Sequence, residues 1–507
     1  MRNIYYVYIS AQDNTHEILY NGKVERHEGI DVLAHINISQ PALVFTNMMG
    51  YVKQRYPGGT SAGENYKKFG QQETLEYTYD KVVFRNIACF TNGQSEELLM
   101  DLYPGMDITK AMEQFILSLN KDPQKVKYTL GYHVKKMFYE DIRDELWQFK
   151  KVHQSYYYDL EIYNDMMVAN KSGALSDIHI YEENVLAFDK RSAYASVMVN
   201  DDKFPIGQTR RIKCDGKRAY GLVRRAVNNG EWCKVVVDHI VPGFELYYDE
   251  EVQKTGLEYY NFIDLQEENK LKEFFENITE CRFYKTTETG RLPLVLRQRI
   301  IECFDNKESM TGVAKFFEKT KINIIYGKGI QKYGFTTKQE LQRHYRGRGE
   351  NYLNPEQSLH CQAALNYEIH RAIRHNVAVY WDTDGIKVKD TKEAREYFYE
   401  QNNIIQHKNA EAGFESEIGT WKLEEECEEF ISFGAKRYII KTDKKYESTW
   451  AGIRKCDQEV MLQRLGEDKI HNAMKKPVVE IRKVILLDFS RIIYKTCYKF
   501  IRFQPSQ

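Results

Sequence analysis

The chain has 507 residues, 42% of them hydrophobic and 13% aromatic, so it can bury several cores and we expect it to divide into domains. Its 73 basic and 73 acidic residues balance, which argues against a uniformly basic nucleic-acid-binding protein but leaves room for a locally basic channel. The nine cysteines form no Cys-x-x-Cys pair and so indicate neither a disulfide framework nor a zinc ribbon. The lack of a signal peptide or long apolar run predicts a cytoplasmic protein with no membrane partner.

The N-terminal third contains apolar runs that predict strands and amphipathic runs that predict helices. The predicted strands cover residues 4–9, 42–45 and 81–84, and the predicted helices cover residues 108–119 and 138–149. The second strand runs into Asn47. These elements predict a mixed domain of strands and helices.

An apolar strand that ends at Asp189 introduces the first stretch with a chemical signature. Residues 192–196, Ser-Ala-Tyr-Ala-Ser, follow it and predict a helix start or tight turn whose backbone N–H groups can face an anion. Such a layout can hold a metal ion and a triphosphate side by side.

Three groups of basic residues lie further along the chain. A group of this kind is more often a solvated face than a DNA contact, so both interpretations stay open. The groups are Arg210, Arg211, Lys213, Lys217 and Arg218, then Arg224 and Arg225, and finally Arg343, Arg346 and Arg348.

Residues 315–328 predict a helix with one polar face. Lys315, Lys319, Asn323 and Tyr326 recur at intervals of four, four and three, which places them on the same side of a helix.

Two carboxylates one residue apart, Asp382 and Asp384, lie between β-prone flanks. Side chains at i and i+2 of a strand project to the same face, so we expect the two to point together, at a hairpin tip inside a sheet. Such a pair more commonly caps a helix or occupies a turn, but the β-branched Thr383 disfavours a polar turn. Because two close anions repel, a divalent cation is their natural partner, and with Asp189 they would form a phosphoryl-transfer centre.

These three blocks, in this order, resemble the signature motifs of family B DNA polymerases. Residues 189–196 are similar to motif A, Asp-x-x-Ser-Leu-Tyr-Pro-Ser, residues 319–327 to motif B, Lys-x-x-x-Asn-Ser-x-Tyr-Gly, and residues 380–385 to motif C, Tyr-x-Asp-Thr-Asp-Ser. The departures remove no carboxylate, lysine or tyrosine of the motifs and bear on fidelity and nucleotide handling. They are Ala193, Ala195, Ile324 and Gly385.

Within that family, the protein-primed phage and linear-plasmid polymerases resemble the chain most. Lys307 is similar in placement to their lysine before motif B, residues 419–424 resemble their Gly-x-Trp stretch, and Lys436 to Tyr438 resembles their Lys-x-Tyr motif. The basic groups fall where that family has two insertions. The first resembles a contact surface for the priming protein and the duplex, and the second is linked to strand displacement and processivity.

The resemblance implies a two-metal centre. Asp189 and Asp384 would hold two Mg²⁺ ions, with Mn²⁺ as a substitute, about 3.5 to 4 Å apart, and Asp382 would act as a further ligand or primer-side acceptor. Lys307 and Lys319 would neutralise the triphosphate from a fingers helix.

The resemblance also implies contacts to the sugar and the primer. Tyr194 would be the steric gate that excludes a 2′-hydroxyl, with Tyr326 on the opposite side of the pocket, although each is also consistent with a core tyrosine in a chain that has 37. Asn323 would anchor the fingers helix near the nascent base pair. Primer and template contacts are predicted for Ser192, Gly327, Lys436 and Tyr438.

Before residue 173 the resemblance implies an RNase H-like exonuclease domain, whose proofreading needs its own carboxylates for two metals. The exonuclease motif Asp-x-Glu has no counterpart on the first strand, and the motif Asn-x-x-Phe-Asp is reduced to Asn47 without the aspartate. We expect an exonuclease fold that has lost its metal site, which the strand-then-Asn layout favours, or an unrelated replacement. Both predict a protein that does not proofread.

The predicted fold class is α+β, a right hand of palm, fingers and thumb after an N-terminal exonuclease-type domain. The predicted divisions are residues 1–172 (degenerate exonuclease-like domain), 173–291 (palm with the first insertion), 292–328 (fingers), 329–356 (second insertion), 357–441 (palm) and 442–507 (thumb and C-terminal region).

The predicted function is that of a template-directed DNA polymerase without proofreading, encoded by a phage or mobile element in a bacterial host. Its predicted partners are DNA primer-template, deoxynucleoside triphosphates and a terminal priming protein. Three alternatives stay open: a diverted polymerase that makes primer-independent or non-genomic DNA, a catalytically silent nucleic-acid-binding homologue, and a nuclease built on the N-terminal domain. The retained carboxylates argue against the second, and the missing exonuclease carboxylates argue against the third.

Overall fold

A computed structural model provides the structure of the chain. It describes residues 2–10, 13–62, 66–68, 71–73, 75–91, 95–126, 129–152, 159–168, 179–244, 248–249, 252–330, 334–346, 353–443, 445–450, 479–488 and 491–500. The chain divides into two compact units. The first comprises Met1–Glu140, Asp305–Ile324 and Ile485–Tyr494, and the second comprises Asp141–Phe304, Ile325–Val484 and Lys495–Gln507.

The first unit contains a sheet with helices on its faces. Its strands are β1 (Asn3–Ser10), β2 (Thr15–Tyr20), β3 (Lys23–Glu28), β4 (Ala42–Thr46), β5 (Thr60–Ala62), β6 (Tyr66–Lys68), β7 (Gln71–Glu73), β8 (Glu76–Tyr79) and β9 (Val82–Asn86). Its helices are α1 (Met49–Arg55), α2 (Ser95–Leu102), α3 (Ile108–Leu119) and α4 (Leu130–Tyr139), with short 3₁₀ turns at Val32–Ala34, Ile87–Cys89 and Pro123–Lys125.

The main sheet of this unit has seven strands in the order β3-β2-β1-β4-β9-β8-β5. Strands β1, β2 and β3 form an antiparallel meander, and β4 and β9 continue from β1 in parallel, which is the arrangement expected of an RNase H-like domain. Both faces are buried: Tyr6 and Phe45 belong to one apolar core, Val7 and Phe84 to the other. Burial on both faces explains why β1 reads as a continuous apolar run.

The helix predicted at residues 138–149 is wrong, because α4 ends at Tyr139 and a separate helix, α5 (Arg143–Val152), follows it. Glu140 and Asp141 follow the last residue of α4, and their negative charge is unfavourable there because it lies at a helix C-terminus. The first turn of α5 is also acidic, and negative charge is favourable at a helix N-terminus. The break coincides with the boundary between the two units.

The second unit contains most of the remaining elements. The further helices are α6 (Leu160–Met166), α7 (Ala193–Asn200), α8 (Gly216–Asn228), α9 (Tyr259–Glu267), α10 (Leu271–Glu276), α11 (Leu294–Ser309), α12 (Gly312–Gly329), α13 (Lys338–Arg346), α14 (Pro355–His375) and α15 (Lys392–Glu411). Of these, α11 and α12 are divided between the two units, since residues 305–324 belong to the first. Its strands begin with β10 (His179–Lys190), β11 (Phe204–Pro205), β12 (Thr209–Cys214), β13 (Cys233–Val237), β14 (Tyr248–Asp249), β15 (Lys254–Glu258), β16 (Cys281–Thr286) and β17 (Thr289–Gly290). They continue with β18 (Ala378–Asp382), β19 (Gly385–Lys389), β20 (Trp421–Phe433), β21 (Arg437–Lys441) and β22 (Tyr446–Trp450). The strands β23 (Val479–Asp488) and β24 (Arg491–Phe500) are divided between the two units.

A six-stranded antiparallel sheet, β18-β19-β10-β20-β21-β22, forms the centre of the second unit. Leu186 and Phe188 of β10 join a core with residues of α14 and α15, whereas Ala187, between them, belongs to a separate core. Since side chains alternate along a strand, Asp189 lies on the face opposite Phe188, away from these helices. The helices therefore support the sheet from behind and leave the face with Asp189 available for chemistry.

A second, five-stranded sheet, β12-β16-β13-β15-β14, lies within the stretch predicted as the first insertion. Val235 and Phe283 of this sheet pack with Ala219 and Val223 of α8 and with Phe262 of α9. We call this sheet with α8, α9 and α10 the inserted domain.

No helix in the described part of the chain is long and apolar enough to span a membrane.

Candidate active site

Asp382 and Asp384 lie at the tip of a tight hairpin. Asp382 ends β18 and Gly385 begins β19, so the predicted hairpin tip is confirmed. The expectation that both carboxylates belong to one strand is wrong, because Thr383 has a φ of 57° and reverses the chain between them. A left-handed φ is costly for a β-branched residue, and such strain persists where the surrounding structure enforces it, commonly at functional sites.

Asp189 meets this hairpin through strand register. Asp189 of β10 pairs with Gly385 of β19, and the Lys190 N–H donates to the Asp384 carbonyl at 3.0 Å. A Cβ atom on Gly385 would lie 3.2 Å from Asp189 Oδ1, closer than ordinary van der Waals contact. The structure therefore brings Asp189 beside the hairpin that carries the other two carboxylates, and the glycine at the end of motif C leaves room for the Asp189 carboxylate.

The residues that follow Asp189 anchor the end of β10. The Lys190 side chain turns to the opposite face, where its amine is almost fully buried, pairs with Glu368 of α14 and lies 5.3 Å from the centre of the Trp421 ring. Arg191 pairs with Glu417. As predicted, a helix starts directly afterwards: Ser192, with a φ of 50°, precedes α7, which carries Tyr194.

The segment with the Lys-x-Tyr motif contacts the same hairpin. Lys436 Nζ lies 3.6 Å from Asp382 Oδ1, which also accepts a hydrogen bond from Thr383 Oγ1 at 3.0 Å. The Lys436 backbone N–H donates to Tyr380 Oη at 2.9 Å, and Lys436 itself has a left-handed φ of 56°. The two motifs are thus bound to each other by main-chain and side-chain contacts.

Sequence reasoning missed Lys387, which lies on this face of the sheet beside three aromatic rings. Its Nζ lies 4.4 Å from the ring centre of Tyr438, 5.1 Å from that of Tyr380 and 5.7 Å from that of Phe430. Cation–π contacts of this kind orient the rings as well as the amine. The signal was available in the sequence, because Lys387 stands two residues after Gly385 in a strand and so shares its face.

Tyr194 and Tyr326 stack on each other with ring centres 3.9 Å apart and planes 10° apart. Burial raises the pKa of Tyr194 to about 12, and a hydrogen bond to Tyr326 opposes this while the charges of Asp384 and Asp382 add to it. Tyr194 is therefore within electrostatic reach of both hairpin carboxylates. The rings touch directly, where the resemblance placed them on opposite sides of a pocket.

The predicted fingers residues share a solvent-facing side of α12. Lys319 and Asn323 are exposed and Tyr326 is half-buried, while Phe317, two residues before Lys319, is buried in the first unit's core. Lys307, at the end of α11, forms an ion pair with Glu308 at 2.9 Å. Gly327, a predicted primer or template contact, has no atom within 4 Å of its Cβ position. Lys307, Lys319 and Asn323 belong to the first unit, and their role at the carboxylates stays a prediction.

The first two basic groups lie on the inserted domain. Arg211 pairs with Glu161 at 2.6 Å, so it is part of the fold rather than of a free surface. The others are exposed on the edge strand β12 and on one side of α8, namely Arg210, Lys213, Lys217, Arg218, Arg224 and Arg225. In the third group, Arg343 is exposed on α13, whereas Arg348 lies outside the described residues.

Asn47 has a structural partner in the first unit. Its side-chain oxygen accepts from the Ile9 N–H at 2.9 Å, and its amide nitrogen donates to the Ile9 carbonyl at 3.0 Å. The amide thus binds the end of β1 to the end of β4 as a further backbone pair would. Tyr5, Val7 and Ile9 of β1 are buried in an apolar core, where a metal site would require carboxylates.

Oxygen donors from the three aspartates fit Mg²⁺ or Mn²⁺, which prefer carboxylate ligands. All three side chains are partly exposed, so hydrated ions can reach them. Across the described ranges, no group of three or more histidine, cysteine, aspartate or glutamate side chains is already arranged as a metal-binding cluster.

Known proteins match the chain in three-dimensional structure. Neither a protein-family model nor a curated protein sequence matches the chain. Phi29 DNA polymerase complexed with primer-template DNA matches with a TM-score of 0.67 and 13% identity, over 99% of this chain and 100% of that one. The same polymerase with primer-template DNA and incoming nucleotides matches with a TM-score of 0.65 and 12% identity, over 99% and 100% of the two chains. With single-stranded DNA the values are 0.64 and 13%, over 96% and 97%. Over nearly its whole length, the chain therefore has the α+β fold of the protein-primed family B DNA polymerases, to which phi29 DNA polymerase belongs.

Proposed function

We propose that the chain is a DNA polymerase that adds deoxynucleotides to a template-paired 3′ hydroxyl, or to a hydroxyl of a priming protein, by two-metal phosphoryl transfer. The observation that carries the proposal is the register of β10 and β19, which brings Asp189 to the hairpin of Asp382 and Asp384. The similar phi29 structures contain primer-template DNA and incoming nucleotides, so we propose the same ligand classes here.

Asp189 and Asp384 are the proposed ligands of two Mg²⁺ ions, which Mn²⁺ can replace, with Asp382 beside them. When bound, such a pair of ions stabilises charge on the attacking and leaving oxygens. The chain orients the ligands itself: the strained Thr383 presents the two hairpin carboxylates, and Lys436 and the Thr383 hydroxyl orient Asp382. Lys307 and Lys319 are proposed to neutralise the triphosphate, with Asn323 holding the fingers helix.

Tyr194 is the proposed steric gate. Its stacking on Tyr326 and its hydrogen bond to that residue restrict the ring, and its hydroxyl, like that of any tyrosine, is neutral at physiological pH. A rigid neutral ring can reject a 2′-hydroxyl by exclusion. Lys436 and Tyr438 are the proposed primer contacts, because both lie on the carboxylate face of the sheet, with Ser192 and Gly327 as further contacts.

We propose that the protein does not proofread, since β1 carries no carboxylate and Asn47 is engaged with Ile9. The inserted domain, with its exposed basic helix α8, is the proposed contact for a priming protein and the duplex. We also propose that residues 173–291 and 357–441 form the palm, 292–328 the fingers, 329–356 the second insertion and 442–507 the thumb and C-terminal region. The proposed setting is the cytoplasm of a bacterium that carries a phage or mobile element.

Primer extension on a templated hairpin with Mg²⁺ tests this function. We expect the wild-type chain to extend the primer with deoxynucleotides and to release no exonuclease products, and we expect Asp189→Asn and Asp384→Asn to lose activity by about 100-fold or more. Asp390→Asn is the matched control, because that aspartate pairs with Arg395 at the far end of β19 and should leave extension unchanged.

Each alternative gives a distinct result. DNA binding without extension by the wild-type chain would support the silent homologue, and extension without any supplied primer would support the diverted polymerase. Shortened primers would refute the absence of proofreading.

A further inference from the structure

A fully buried histidine outside the carboxylate site joins three segments of the second unit. His360 of α14 has its Nδ1 2.8 Å from Glu258 Oε2 and its Nε2 2.7 Å from Asp201 Oδ2. The imidazole has no exposed surface, and both carboxylates are at most 9% exposed. Glu258 begins α9 of the inserted domain, and Asp201 follows α7 directly.

The arrangement favours a charged imidazole. With a carboxylate at each ring nitrogen, both nitrogens donate only if both carry a proton. Burial alone lowers the pKa of His360, but the charges of Glu258 and Asp201 and the hydrogen bonds to them raise it to about 10. Trp232 Nε1 donates to Glu258 Oε2 at 2.9 Å and Tyr260 Oη donates to Asp201 Oδ1 at 3.0 Å, so the carboxylates are further satisfied.

The same turn of α14 reaches the tyrosine pair. Cys361, the next residue, lies within electrostatic reach of both Tyr194 and Tyr326. Gln362 Oε1 lies 3.5 Å from Tyr326 Oη. On the other side, the Asp201 N–H closes the last turn of α7, the helix that carries Tyr194, by donating to the Val197 carbonyl at 3.0 Å.

We propose that His360 is a positioning residue for the nucleotide pocket: as a cation between Asp201 and Glu258, it holds α7 and Tyr194 against α14 and ties both to the inserted domain. This inference rests on the proposed polymerase function. If the ion cluster only stabilised the fold, a change in its charge would leave the position of Tyr194 unchanged. The titratable groups that face the cluster from its surrounding elements are Asp201, Glu258, Tyr259, Tyr260, Cys233, Cys361 and Glu368.

The first experiment reads the charge of the imidazole. In a sample labelled with ¹⁵N-histidine, the His360 resonances are those that disappear in His360→Gln. We expect both ring nitrogens to be protonated at pH 8, where an ordinary histidine is neutral. A neutral His360 ring at pH 8 would overturn the proposal.

The second experiment reads the position of Tyr194 without relying on catalysis. A single 3-fluorotyrosine at position 194 reports its surroundings through its ¹⁹F resonance. We expect His360→Gln to shift this resonance, and we expect the control His370→Gln to leave it in place, because His370 sits on the same helix but contacts Asp264 of α9 at 2.6 Å. If His360→Gln does not fold, Asp201→Asn removes one partner charge and keeps the side-chain size. An unmoved ¹⁹F resonance in a folded variant overturns the proposal.

The third experiment separates binding from turnover in primer extension. We expect His360→Gln to raise KM for a deoxynucleotide about tenfold, to change kcat less than about threefold, and to increase ribonucleotide incorporation. A lower kcat with unchanged KM would contradict a role at the nucleotide pocket. If the wild-type chain does not extend primers, the polymerase proposal fails, and the two NMR measurements still decide whether His360 positions Tyr194.

Discussion

Replacing Gly419 with alanine would test how closely the turn before β20 packs on the helix that carries Tyr194. Gly419 has a φ of 82°, and its N–H donates to the Arg191 carbonyl at 2.7 Å. A Cβ atom at this position would lie 2.6 Å from Ser196 Cβ, which is closer than real contacts allow. Ser196 is buried on α7, and its Cβ cannot rotate away because it is bonded to the helix backbone.

The expected loss has two parts. Holding alanine at a left-handed φ costs about 1 to 2 kcal/mol, and forcing a methyl group into a packed contact costs about 1 to 3 kcal/mol more. Gly413 offers a matched control, because it has a φ of 92° but no atom within 4 Å of its Cβ position. Gly413→Ala should therefore show only the first part, and Gly419→Ala the sum of about 2 to 5 kcal/mol.

Urea unfolding followed by tryptophan fluorescence gives the free energy of unfolding of each variant. Adding Ser196→Gly to Gly419→Ala removes the atom that clashes, so the double variant should recover the packing part of the loss after correction for Ser196→Gly alone. Equal stability of Gly419→Ala and Gly413→Ala would refute the packing argument, and so would a double variant that recovers nothing.

Three further predictions concern His360, Lys387 and the pair Cys214 and Cys281. The pKa of His360 rises from 6.5 to about 10 on folding, so the stabilisation that its charge provides is complete below pH 6.5 and is lost as the pH rises through 10. Urea midpoints should therefore fall over this pH range in the wild-type chain and fall less in His360→Gln, and parallel plots of midpoint against pH for the two chains would refute this. Lys387→Met removes the cation beside Tyr438 and should lower the free energy of unfolding by about 0.5 to 2 kcal/mol. It should also weaken primer binding in a fluorescence anisotropy titration, and an unchanged unfolding free energy and binding affinity would contradict the ring contacts. Cys214 and Cys281 face each other on β12 and β16 with sulfurs 4.0 Å apart, so prolonged exposure to oxidised glutathione at alkaline pH should join them, as detected by mass spectrometry of unreduced peptides. A Cys214→Ser chain lacks the bond, and free thiols at both Cys214 and Cys281 in the treated wild type would contradict the prediction.

The sequence alone predicted the elements whose signals are local. Helix α3 was predicted at residues 108–119 and occupies Ile108–Leu119, because its apolar residues recur at helical spacing over three turns. Strand β10 runs into Asp189 as its apolar run indicated, and a helix follows. The order of three short motifs was also enough to indicate the fold that the comparison with phi29 DNA polymerase supports.

Local patterns failed where a neighbouring element decides the backbone. The chain turns at Thr383 because β18 and β19 pair with each other, and a β-branched residue in that turn runs against its own preference. The helix break after Tyr139 coincides with the boundary between the two units, which no periodicity of the segment marks.

Which side chains meet was determined by the tertiary structure. The sequence supplied Asp189, Asp382 and Asp384 as candidates, but their convergence depends on the register in which β10 pairs with β19. His360 meets partners 102 and 159 positions away, and Lys387 meets rings from β18, β20 and β21. Spacing along a strand or helix sets the face on which a residue lies, and this can be read from the sequence. Which residues lie opposite that face is set by sheet register and helix packing. Register and packing depend on burying surfaces from distant parts of the chain, so only the tertiary structure determines them.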